Sequence, residues 1–448
     1  MQSRQSRLTR NLKWVSGSLA SPRVIPKVIP KTGLPVHDPP LPAREEAIYY
    51  LHIAAEVEHA LMVQYLYAAF SLGGPQVPDK HQSDVKRWRN TILGIAREEM
   101  GHLSTVQNML QLLGGPLSFE REDFPIPPDL YPFSFHLEPL TQESLAKYVV
   151  AEMPPLDTFK KEDEKIEMVQ IIQIAQGGNK NRPIDRVGIL YATAIDLLDQ
   201  VITSDFNADS VRYQARADEW GLNYPGMLIL HAGNRADAKT ALSEVAEQGE
   251  GNTDASAPGK EDELSHFERF LKVYRQFPKD SSWLPARPVP VDPTTEERKL
   301  GSITQPQARL WAQLFNQRYR LLLMYLSHAF YTEGRETGFA NARGLLVSWS
   351  FGEMYNLRSI ADILTTLPQH EKGGLDHVAG PPFEMPYSLS LPEREADRWR
   401  QHRDIITASS QLIENLCDSA TDSQKIYLNG LNKLDAASLE TMITIIAG

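Results

Sequence analysis

The stretch ILGIAREEMGHLSTVQNMLQLLGGP, residues 92–116, decides the fold. Ile92, Ile95, Ala96, Leu103, Val106, Leu110 and Leu113 recur at three- and four-residue steps, the signature of a helix with one apolar stripe. Extended upstream through Trp88, the pattern starts near Ser83, an N-cap type followed by Asp84, and stops at Gly114, Gly115 and Pro116. Glu99 and His102 lie on the stripe three residues apart, whereas Glu98 falls off it. A buried carboxylate without a partner costs several kcal/mol or takes up a proton, so the core-facing Glu99 and His102 require a compensating group.

Two other segments repeat the anomaly. Over residues 44–72, Leu51, Ala54, Ala55, Leu61, Met62, Tyr65, Ala69 and Leu72 form a stripe with Glu58 in its middle, and the helix stops at Gly73, Gly74 and Pro75. Tyr65 reads as a packing residue, and Glu56, flanked by His52 and His59, reads as solvated. Glu263-Leu264-Ser265-His266 is a second Glu-x-x-His, opening a stripe continued by Phe267, Phe270 and Tyr274. The spacing places a carboxylate and an imidazole on one helix face. Two such units, with one more Glu from each of two further helices, hold a pair of metal ions in helical bundles. The remaining carboxylate is less clear, because the helical pattern over 185–203 contains no Glu and offers only Asp185, Asp196 and Asp199, whose reach is shorter. Glu250 in QGEG, residues 248–251, is favoured over Glu244 and Glu247, which lie off the stripe of Ala238, Ala241, Leu242 and Val245. Carboxylate and imidazole ligands without thiolate suit iron or manganese, with zinc also within range.

The chain has 448 residues, 42% hydrophobic, enough for one large core or two medium ones. Helical periodicity also marks 142–153, 235–248, 261–277, 307–331, 339–367 and 394–417, while alternating strand patterns are nearly absent, so the fold class is all-α. Six prolines between Pro116 and Pro139 define a long crossover. The predicted organisation is a flexible basic arm over 1–43, a metal-binding bundle over 44–280, a proline-rich linker over 281–295 and a second helical bundle over 296–448. In that second bundle Glu353-Met354-Tyr355-Asn356 reads as a Glu-x-x-His whose His is lost, and it and His328 are expected to be structural; His377 is expected in a surface loop.

Other chemistries are excluded. The single cysteine, Cys417, rules out cysteine-based zinc or iron–sulfur cages and points to a reducing compartment, the cytoplasm. Residues 1–37 hold seven Arg or Lys and no acid; they read as a flexible or surface-draped arm rather than a transit peptide. The rest of the chain carries −18, which disfavours nucleic acid and anionic membrane as partners. No stretch matches the roughly 20 apolar residues of a membrane span. No phosphate loop, dinucleotide fingerprint or nucleophile elbow is present.

AEVEHALMVQYLYA (55–68), REEMGHL (97–103), NMLQLLGGP (108–116), QGEG (248–251) and SHFERF (265–270) resemble the ferritin-like domain of iminophenyl-pyruvate dimer synthases. Known members couple two aryl-pyruvate imines in violacein-type and indolocarbazole pathways. AGPPFE (379–384) is similar to a segment in the downstream half of the same proteins. The resemblance implies a ferritin-like four-helix bundle with long proline-rich crossovers, followed by the second bundle. It implies metal ligation by Glu58, Glu99, His102, Glu250 and His266, with Glu263 completing the second Glu-x-x-His. The chain departs from the family where a third-helix carboxylate is replaced by Ile189, which implies a modified second metal site. The expected cofactor is a pair of iron ions, with manganese as the alternative; the expected partners are a small-molecule substrate and O2 or peroxide, and an oligomer is compatible with the sequence. The function read from these features is a non-haem dimetal oxidoreductase acting on a small amino-acid-derived substrate in specialised metabolism. The alternatives are imine coupling without net redox at the metal, and a non-catalytic ferritin-like metal-binding protein.

Overall fold

A computed structural model describes residues 12–13, 36–37, 39–126, 133–177, 187–220, 227–250, 264–279, 282–297, 299–333, 342–372 and 374–447. Most of the basic arm, residue 263 and residues 251–262 lie outside the described residues. The chain divides into one compact unit of residues 1–69, 73–136 and 140–285, and another of residues 70–72, 137–139 and 286–448. Helices dominate both, and the only strand pairing among the described residues is a two-residue antiparallel match of Leu12–Lys13 with Val36–His37. No helix among the described residues is long and apolar enough to cross a membrane.

In the first unit, α1 (Ala43–Ser71) begins with Glu45 and Glu46 in its first turn, where the helix dipole favours negative charge, and stops before Gly73 and Gly74, both at positive φ. It is buried on nearly every side. Glu56 is therefore covered rather than solvated, and its Oε1 accepts the backbone N–H of Glu122 at 2.9 Å. A stripe cannot be told from its opposite face in a helix wrapped all round. The following helix, α2 (Gln82–Leu112), ends as expected, with Gly114 at φ 65° and the Gly115 N–H closing onto the Leu110 carbonyl at 2.8 Å.

After the crossover come α3 (Gln142–Glu152), α4 (Glu162–Ala175), α5 (Val187–Leu198), the single turn α6 (Ala217–Trp220), α7 (Arg235–Glu250) and α8 (His266–Gln276). Thr141 and Ser144 cap α3 reciprocally. Helix α4 was not expected: its charged first half hides the spacing of Met168, Ile171, Ile172 and Ala175, which are buried while α4 packs on α3. Helix α8 starts at His266 and not at 261, because Ser265 and Glu268 form a capping box. Glu263 lies outside the described residues.

Side-chain amides of α2 fasten the irregular segments. Asn108 Nδ2 donates to the carbonyls of Ala215 and Leu230, and its Oδ1 accepts the Ala215 N–H. Gln107 clamps Ser118 through both its amide atoms. Gly101 lets this packing happen: a Cβ there would lie 2.4 Å from the Leu228 carbonyl oxygen. Gly101→Ala should lower the unfolding free energy by about 1–3 kcal/mol through overpacking. Alanine is the better helix former by about 1 kcal/mol, so a more stable variant in urea denaturation would contradict this close approach.

The second unit contains α9 (Pro306–Ala329), α10 (Ala342–Leu364), α11 (Glu395–Cys417) and α12 (Asp422–Ala447). Helix α12 also escaped the sequence reading, since it buries only Leu428, Leu431, Asp435 and Met442. The interior of this unit holds a guanidinium. Fully buried Arg318 lies 3.1 Å from Glu353 Oε1 and pairs through both terminal nitrogens with Asp435, while Asn356 Nδ2 donates to Glu353 Oε2.

Nearby, His328 Nε2 is 2.9 Å from Glu395 Oε1, and His328 Nδ1 is 2.9 Å from His402 Nε2. Burial, with His328 alongside, holds His402 well below the usual histidine range. The unfolded chain takes up a proton at this residue below about pH 6.5 that the native chain refuses, so native stability is lost as pH falls through that value. The stability contributed at His402 should therefore fall between pH 7 and pH 5. His402→Gln should flatten that slope by up to about 1.4 kcal/mol per pH unit; an unchanged slope would contradict the assignment.

Candidate metal centre

Four helices of the first unit deliver ionisable side chains to one buried point. Glu58 comes from the middle of α1, Glu99 and His102 from α2, Glu152 from the last position of α3, and His266 from the first of α8. All five residues are at most 4% exposed.

Glu99 is the pivot. Its Oε2 lies 3.0 Å from His102 Nδ1 and its Oε1 2.8 Å from His266 Nδ1, so one carboxylate faces two imidazoles. Glu99, His102 and His266 each present a ligand atom within 4.8 Å of the other two. On the His102 side, Glu58 Oε2 stands 3.5 Å from Nδ1; on the His266 side, Glu152 Oε2 stands 3.8 Å from Nδ1. The imidazole rings are stacked with centroids 5.2 Å apart.

The outer nitrogens are held. His102 Nε2 meets Gln248 Oε1 at 2.8 Å, and His266 Nε2 meets Glu98 Oε2 at 2.8 Å. Arg269 pairs with that same Glu98. With Nε2–H donated outward, each Nδ1 lone pair is left pointing at the carboxylates, the orientation a metal ligand needs. Tyrosines brace the outer carboxylates: Tyr65 Oη donates to Glu152 Oε1 at 2.5 Å, and Tyr191 Oη donates to Glu58 Oε1.

The electrostatics are those of charges sharing a dry space. Burial and the neighbouring Glu99 push the Glu58 carboxyl up to about 7. Burial also opposes ionisation of Glu99, but His266 and His102 outweigh it and hold the carboxyl below the usual range. Although burial disfavours its charge, Glu99 and Glu58 pull the His102 imidazole up to about 10. His266 is likewise raised. Without an ion, the imidazolium protons supply the positive charge that the carboxylates require.

The residues present fit a metal. Glu99 Oε1 and His266 Nδ1 approach to 2.8 Å, yet they are not aligned as a hydrogen bond, and among the described residues neither atom has another hydrogen-bond partner. A cation taking the place of the imidazolium proton would be satisfied by both of these buried atoms.

Of the sequence-predicted ligands, the structure brings Glu58, Glu99, His102 and His266 together. Glu250 does not join them: it ends α7, half-buried, with Oε1 accepting the Gly188 N–H at 3.1 Å. Helix α7 runs on through Gly249 to Glu250 and places Gln248, not Glu250, against His102. Glu244 and Glu247 are exposed, as expected from periodicity; Asp196 is half-exposed and Asp199 pairs with Lys239 on the surface. The residue overlooked is Glu152. Its signal was present, since Leu145, Tyr148, Val149 and Glu152 share a helical stripe and the first three are buried. Glu98 lies off the buried stripe, as expected, but is half-covered: α8 packs on that flank of α2, and burial is outweighed by His266 and Arg269, which bring its carboxyl down to about 2.

A bundle whose helices converge carboxylates and imidazoles on a buried centre defines a class of metal-binding helical proteins. The ferritin-like family model matches residues 51–275, half of the chain, and the chain belongs to the ferritin-like family. Dichlorochromopyrrolate synthase of Lentzea aerocolonigenes is 26% identical over 400 residues, covering 77% of this chain and 36% of that protein. The chain thus spans about a third of that relative's length. The crystal structure of a ferritin-like protein from Caulobacter vibrioides covers 73% of this chain and 95% of its own, at 15% identity and a TM-score of 0.43.

Proposed function

We propose that this chain is a non-haem dimetal oxidoreductase of the cytoplasm, with iron the expected metal and manganese the alternative, acting on a small amino-acid-derived substrate of specialised metabolism. The observation that carries the reading is Glu99 facing two imidazoles, with one further carboxylate on each side. That disposition would suit metal ions held by Glu58, Glu99 and His102 on one side and by Glu99, Glu152 and His266 on the other. When bound, such a pair supplies electron transfer between substrate and O2 or peroxide, which takes up the two electrons the substrate gives.

The protein's own part is orientation and proton handling. Gln248 and Glu98 fix the imidazole rings; Tyr65 and Tyr191 fix the outer carboxylates. Tyr191 donates its hydroxyl proton to Glu58 Oε1, the carboxyl that burial and Glu99 push up to about 7. The apolar surroundings keep water from the reacting groups.

A second reading is favoured by the name of the Lentzea relative, a synthase. Here the same buried cluster would serve the coupling of two aryl-pyruvate imines, with no net redox at the metal. The test is elemental analysis of purified protein followed by O2-uptake assays with aryl and aliphatic amino acids. Bound iron with substrate-dependent uptake is the expected result. Coupling by metal-free protein would replace the first reading with the second, and bound metal without turnover would leave only a metal-binding protein.

A further inference from the structure

The second unit contains a cleft of about 540 Å³ that is separate in chemistry from the centre above. On α9, Gln313, Asn316, Gln317 and Arg320 line it at i, i+3, i+4 and i+7; on α11, Ala408, Gln411, Leu412 and Asn415 line it at the same spacing. Facing stripes of two packed helices are ordinarily apolar, and here they carry carboxamides. The remaining wall is Thr295 and the segment from Glu384 to Tyr387.

That wall is built in advance. Phe383 sits at φ 48°, in the left-handed region, and is held there by edge contacts with Phe315 and Tyr319 at ring separations of 4.7 and 5.3 Å. The Glu384 carboxylate accepts from the Thr295 N–H at 2.8 Å, the Thr295 hydroxyl at 2.6 Å, the Thr294 hydroxyl and Asn316 Nδ2. It is saturated, and it is the acid of the cleft lining.

Arg320 is left without a counter-ion. Among the described residues it has no carboxylate within 4.0 Å, and its buried Nε has no hydrogen-bond partner. Its guanidinium lies 5.3 Å from the centre of the Tyr387 ring, which is 93% exposed. An unpaired guanidinium in a chain of net charge −11, beside an open aromatic ring and a row of amides, is chemistry arranged for a planar anion.

We propose that this cleft binds a small aryl carboxylate, its carboxylate on Arg320, its ring against Tyr387, and its other polar groups on Gln317, Gln411 and Asn415. The volume lies within the range of small-molecule sites. The inference does not depend on the proposed redox function.

The test is isothermal titration calorimetry of the full chain with 3-(4-hydroxyphenyl)propanoate, alongside tyramine, which has the same ring and the opposite charge, and inorganic phosphate. The propanoate should bind one per chain and tyramine should not. Arg320→Gln should weaken binding at least about tenfold, the cost of a charge-assisted pair, with an unchanged melting temperature. Tyr387→Ala, at a fully exposed ring, should weaken it severalfold and serves if the first variant fails to fold. The proposal is overturned if the propanoate gives no heat up to about 10 mM, a weak limit for any specific site. It is equally overturned if tyramine binds as well, if phosphate binds as tightly as the propanoate, or if a folded Arg320→Gln binds unchanged.

Discussion

Replacing Glu99 by glutamine is expected to lower the metal affinity of this protein at least about a hundredfold, equivalent to about 2.7 kcal/mol, while leaving its helical content in place. The two oxygens of Glu99 serve different imidazoles, so the substitution acts on both halves of the centre at once. An amide offers one neutral, weaker acceptor and turns its N–H donors toward the bound cation. Iron titration followed by elemental analysis reads the effect. Glu56→Gln is the matched control, because Glu56 accepts from the Glu122 backbone and takes no part in the cluster. Full metal content in Glu99→Gln, or equal loss in Glu56→Gln, would contradict the ligand assignment.

The largest stability effect is expected in the second unit. Arg318→Met should cost about 3–5 kcal/mol, because it strands Glu353 and Asp435 as buried carboxylates without their cation. The loss is a penalty for uncompensated charge rather than a measure of what the ion pairs contribute. Adding Glu353→Gln and Asp435→Asn to Arg318→Met should therefore recover most of it. Denaturant unfolding of the single and triple variants distinguishes the two accounts. A loss below about 1 kcal/mol for Arg318→Met would mean that water reaches the carboxylates.

How much of the centre could be read in advance depends on what each helix packs against. Glu99 and His102 were legible because α2 has a true stripe over most of its length, and two polar residues on it stand out. Glu58 was found on α1 by the same rule, but the rule misjudged Glu56, since α1 is enclosed and has no solvent face to define a stripe. His266 was found through the second Glu-x-x-His, whose Glu263 lies outside the described residues; Ser265 starts the helix, and Glu152 from α3 stands beside His266. The Ser265-to-Glu268 capping box was itself visible in the sequence and argued for the later start. Gln248 and Glu98 were beyond reach, because their roles depend on which flank of α2 each neighbouring helix covers. The all-α class was plain from periodicity, while α4 and α12 escaped because each buries too narrow a strip to mark the sequence.

The most direct test of the central claim is anomalous diffraction at the iron edge from crystals of iron-loaded protein. The account predicts two peaks, one on each side of Glu99, each within about 2.0–2.2 Å of an imidazole nitrogen, at Nδ1 of His102 and of His266. Absence of density between these side chains, with iron found elsewhere or not at all, would contradict it.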